Sequence, residues 1–71
     1  MMKRFRFDPM EKHAEVIARI TGEVLEWNPS TWKFLLDNQA PVNLTMTEEN
    51  ANRVKRRLEE LGIESSMFKE E

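Results

Sequence analysis

Apolar and polar residues alternate from the start of this chain. In Lys3-Arg4-Phe5-Arg6-Phe7, Phe5 and Phe7 share one side and Arg4 and Arg6 the other. A period of two marks a half-buried strand. The period then lengthens: Met10, His13, Ala14, Ile17, Ala18 and Ile20 fall on one arc of a helical wheel, with Glu11, Lys12, Glu15 and Arg19 opposite. Asp8-Pro9-Met10-Glu11 reads as a helix start, with Asp8 as cap, Pro9 at the first helical position and Glu11 placed for a capping box. Gly22 reads as its left-handed stop.

The pattern recurs in the second half. Thr47 caps a helix whose buried stripe is Ala51, Val54, Leu58 and Leu61, and Gly62 ends it. Glu49–Arg53, Lys55–Glu59 and Arg56–Glu60 are acid/base pairs four residues apart on its solvent flanks. Val42, Leu44 and Met46 alternate with Asn43 and Thr45 before it, as a short strand or an extended packed loop. Ile63, Ser65 and Met67 alternate with Glu64, Ser66 and Phe68 after it.

Segment 23–37 admits two readings. One is a hairpin of Glu23–Trp27 and Trp32–Asp37, in which a single register sets Trp27 against Trp32, Glu26 against Lys33 and Leu25 against Phe34. The other is a short helix from Pro29 to Asn38 capped by Asn28, with Trp32, Leu35 and Leu36 on one side and Phe34 facing away. The coincidence of aromatic, charged and apolar pairs favours the hairpin. The element order is then β-α-β-β-α-β, the split-βαβ or ferredoxin-like α+β arrangement: a four-stranded antiparallel sheet with two helices on one face. It forms one domain over residues 1–71, with an ordered core at 3–68 and a solvated tail at 69–71. Phe5, Ile17, Val54, Leu58 and Ile63 are its expected core.

Composition narrows function mainly by exclusion. The chain has no cysteine and a formal charge of -2, so disulfides and thiolate metal sites are excluded and a strongly basic nucleic-acid binder is disfavoured. No apolar run reaches the roughly 18 residues of a membrane span, and the basic start lacks the apolar stretch of a signal peptide. These features predict a cytoplasmic protein without membrane contact. The single histidine, His13, lies within the apolar arc, and both glycines read as helix stops rather than as a phosphate loop. No cofactor, metal ligand set or catalytic constellation is legible, so a non-enzymatic module is expected.

The basic run Arg53-Val54-Lys55-Arg56-Arg57 is interleaved with Glu49 and Glu60 and reads as a salt-bridged solvent face. Under the four-stranded reading the large apolar strand residues lie beneath the helices. The open face then carries Arg4, Arg6, Lys33, Leu35 and Phe68, with Glu26 and Glu64 partly neutralising it. Those five residues are the predicted partner-binding site, for a protein partner or a second copy of the chain, because arginine and aromatic residues anchor interfaces. Nucleic-acid binding on the same face is the alternative, and a small-ligand-binding regulatory module is a further one.

Overall fold

In a computed structural model, the described residues are 1–68, so the solvated tail expected at 69–71 lies outside them. The order is β1 (Met2–Phe7), α1 (Ala14–Val24), α2 (Pro29–Asp37), β2 (Val42–Thr47), α3 (Glu48–Glu60) and a 3-10 turn at Ser66–Phe68. β1 and β2 form a two-stranded antiparallel sheet with Phe5 opposite Leu44, Phe7 opposite Val42 and Arg6 opposite Asn43. The fold is α+β, but the four-stranded ferredoxin-like sheet is overturned: neither 23–27, 32–37 nor 63–68 is a strand.

Each departure has a local cause. α1 does not stop at Gly22. It runs on to Val24 and closes with Trp27 N–H donating to Gly22 O (2.8 Å) and Glu26 N–H to Glu23 O (3.4 Å). This is a Schellman closure whose left-handed residue is Glu26, at φ 58. Gly22 serves packing instead: a Cβ built there would stand 2.7 Å from Trp32 Cδ1. That close approach lets α2 lie on α1. Pro29 stands at the start of α2 after Asn28, and Trp32, Leu35 and Leu36 turn toward the core while Phe34 is left 70% exposed. The helix therefore wins over the hairpin, and Trp27 and Trp32 are not cross-strand neighbours. The hairpin pairs matched chemically, but the helix gains a docking surface on α1 that the hairpin pattern did not weigh.

α1 also begins later than its start signals imply. Asp8 Oδ1 accepts from Met10 N–H (2.9 Å) in a turn, and residues 9–13 continue as turns until the helix starts at Ala14, with His13 at its N-cap. α3 matches expectation in both caps: Thr47 Oγ1 accepts from Asn50 N–H (3.1 Å), and Gly62 takes φ 69 while Ile63 N–H donates to Leu58 O (2.9 Å); Leu61, expected in its buried stripe, is instead the C-cap residue and exposed. The ion pairs of the described residues are not the expected i,i+4 pairs. They are Arg57–Glu23 (2.7 Å), which joins α3 to α1, and Lys3–Glu48 (3.5 Å).

The core lies between the inner face of the sheet and the helices. Phe7, Leu44 and Met46 from the strands meet Ile17, Ala18 and Ile20 of α1 and Ala51, Val54 and Leu58 of α3. Of the expected core, Ile17, Val54 and Leu58 are fully buried, whereas Phe5 and Ile63 are partly buried at its margin. Buried Thr21 returns its hydroxyl to Ile17 O (2.7 Å), and among the described residues no buried side-chain polar atom lacks a partner. α1 packs on both α2 and α3.

Two stability predictions follow from this arrangement. Leu58→Ala should cost about 2–5 kcal/mol in chemical denaturation, through lost burial and a cavity in a small core. Glu26→Gly should raise stability by about 1 kcal/mol, because a β-carbon is unfavourable at positive φ and glycine removes that cost. Unchanged unfolding of Glu26→Gly would show that the left-handed closure of α1 is not strained.

Candidate functional site

A groove runs beside β1 and encloses about 670 Å³ between that strand, α3 and the 3-10 turn. Strand alternation sends Arg4 and Arg6 outward, exposed, and turns Phe5 inward, half-buried. On the far wall, Glu48, Ala51, Asn52 and Lys55 share one face of α3, at the i, i+3, i+4, i+7 spacing that aligns side chains along a helix. The floor is aromatic. The Phe5 and Phe68 rings lie 5.5 Å apart at 59°, the tilted geometry favoured by ring quadrupoles.

The 3-10 turn that carries Phe68 is held by two side chains. Ser65 Oγ, buried, accepts from Met67 N–H (3.1 Å). The Glu11 carboxylate accepts from Ser66 N–H (2.8 Å) and from the Ser66 hydroxyl (3.2 Å), across 55 positions of chain. These bonds occupy amides that a strand would offer to a ladder, which explains why the alternating pattern of 63–68 did not become one. Glu11, read as part of a capping box, ties the end of the chain to the turn before α1 instead.

The rim is cationic. Lys3, Arg4, Arg6 and Lys55 line the groove, against the single carboxylate of Glu48, which pairs with Lys3. Among the described residues Arg4 and Arg6 have no carboxylate within ion-pair distance. The neutralising role expected of Glu26 and Glu64 disappears, since neither lies on a strand: Glu26 closes α1 and Glu64 lies between α3 and the 3-10 turn. The outer sheet face presents Arg4, Arg6, Asn43 and Thr45, all exposed.

Three of the five predicted site residues, Arg4, Arg6 and Phe68, therefore meet at this groove. Lys33 and Leu35 do not. Both are on α2, where Lys33 Nζ sits 5.6 Å over the Trp32 ring and Leu35 packs partly against the core. Lys3, Asn43, Glu48 and Lys55 were not foreseen. The α3 face was readable from its spacing, but which sheet edge it borders depends on the two-stranded topology.

β1 has a further property that bears on binding. Among the described residues no backbone hydrogen bond outside the β1–β2 ladder reaches residues 2–7. One side of β1 thus keeps free N–H and C=O groups next to the groove. Among the described residues no three side chains of His, Cys, Asp or Glu gather, and His13 stands half-buried at the start of α1. No helix of the described residues is long and apolar enough to cross a membrane. No family model matches the chain, and no curated protein or solved structure gives a significant match.

Glu11→Ala should release the 3-10 turn. We expect faster hydrogen exchange at the Ser66 amide and a loss of about 0.5–1.5 kcal/mol, the usual scale for a hydrogen-bonded contact that solvent can reach. An unchanged Ser66 exchange rate by NMR would show that the carboxylate does not hold the groove wall.

Proposed function

We propose that this protein is a non-enzymatic interaction module that receives an extended, acidic segment of a partner protein along β1. The observation that carries this reading is the coincidence of three features at one edge: unpaired backbone groups on β1, a cationic rim, and an aromatic floor. Addition of a strand supplies affinity through main-chain hydrogen bonds, while alternate side chains enter pockets and give specificity. Carboxylates of the incoming segment would meet Arg4 and Arg6, which pair with no carboxylate among the described residues. An apolar side chain would rest on Phe5 and Phe68. Absence of cysteine fits a reducing compartment, and the cytoplasm is where we would look for the partner.

Nucleic acid is the competing occupant, since the outer sheet face holds two arginines beside Asn43 and Thr45. Two features favour a peptide. The aromatic rings lie in the groove rather than on the outer face, so they form no stacking platform there. The chain as a whole is acidic, with a pI near 5.4, which opposes long polyanions.

The test is an NMR titration of labelled protein with an Asp/Glu-rich peptide bearing one aromatic residue, and separately with a single-stranded oligonucleotide. The peptide should shift residues of β1 and Phe68. Arg4→Glu combined with Arg6→Glu should weaken it about tenfold or more, roughly 1.4 kcal/mol, with circular dichroism unchanged. Tighter binding of the oligonucleotide, with a steep salt dependence, would replace the peptide reading.

A further inference from the structure

The second strand has an open side as well, of a different character. β2 is Val42-Asn43-Leu44-Thr45-Met46-Thr47, six residues without a charge, a glycine or a proline. Among the described residues it pairs only with β1, and no backbone hydrogen bond from any turn or loop reaches residues 42–47. Exposed edges are normally blunted by charged side chains, proline, bulges or a covering element. β1 has such protection against a second copy of itself in Lys3, Arg4 and Arg6, whose charges do not repel an acidic segment. β2 has none.

We infer that β2 is a self-association edge, pairing antiparallel with β2 of a second copy to make a continuous four-stranded sheet, β1-β2-β2-β1. The partner must continue an inner row of Leu44 and Met46 and an outer row of Asn43 and Thr45. β2 itself meets that requirement, and a two-fold axis generates the pairing from one surface. Residues directly opposite in an antiparallel pair point to the same face. The axis therefore passes beside Leu44 or beside Thr45, each opposite its own symmetry mate. A slip of one residue would turn Leu44 and Met46 to solvent and is excluded.

An uncharged edge offers no complement to an acidic or a basic segment, which separates it from the β1 edge. This inference does not depend on the peptide reading, because the β1 grooves remain open at the two ends of the four-stranded sheet.

Light scattering should give a mass near twice the 8.5 kDa of the chain at micromolar concentration. Asn43→Lys combined with Thr45→Lys sets like charges across the axis and should return the mass to one chain, with unchanged circular dichroism. Because the chain has no cysteine, Asn43→Cys combined with Thr45→Cys supplies a second reading, since one pair of thiols then lies directly opposite for either position of the axis. Under mild oxidation it should form a covalent dimer much faster than Arg53→Cys, a control exposed on α3. A single-chain mass at every concentration up to about 1 mM, or equal crosslinking of the two cysteine variants, would overturn the inference. So would a dimer that persists unchanged in the folded double-lysine variant.

Discussion

A two-stranded ladder is marginal in water unless one of its faces is covered. That constraint organises the molecule. Phe7, Leu44 and Met46 project from the inner face, and their burial is possible only if α1 and α3 bring Ile17, Ile20, Val54 and Leu58 against them. The connections are then set by what this layer needs. α2 leans on α1 through the space left at Gly22, and the chain after α3 folds back to place Met67 and Phe68 beside β1. The cover is one-sided, so one sheet face and both strand edges stay in contact with solvent.

Charge distributes those open surfaces unevenly. The formal total of -2 conceals a local difference, in which β1 carries three cations and no acid while β2 carries no charge. A cationic edge discourages pairing with a copy of itself, since like charges would face each other. The same charges attract a segment of opposite sign. An uncharged edge has the reverse preference. The two strands of one small sheet thus differ in the charge that each presents to a strand brought beside it.

Parts of this were legible in the sequence where the decisive contacts are local. Thr47 and Asn50 are three residues apart, and Gly62 closes a helix with groups from its own last turn, so both ends of α3 could be read directly. The alternation of Phe5 and Phe7 with Arg4 and Arg6 likewise survives in β1. Elsewhere the deciding contact lies far along the chain. Gly22 looked like a stop because its neighbour Trp32 was not visible as a packing partner. Glu11 looked like a capping residue because its actual partner, Ser66, is 55 positions away. The hairpin over 23–37 satisfied every pairwise rule, yet a register of good pairs cannot compete when a helix of the same residues has a prepared surface to lie on.

A sheet of two strands in place of four alters the electrostatics around Arg4 and Arg6. With four strands, Glu26 and Glu64 would have stood among the arginines and left a mixed surface. With two, those carboxylates fall in helix closures and connections, and Arg4 and Arg6 keep their full charge at an edge with unpaired amides. An exposed arginine loses little by waiting in water, and gains most from a carboxylate that arrives with its own backbone groups to pair. Under the proposed function, main-chain pairing would hold the incoming segment in place and the arginines would select its charge. Phe68 completes the arrangement because the Glu11–Ser66 contact fixes it against Phe5, so the apolar floor is already formed and the proposed binding would require less ordering.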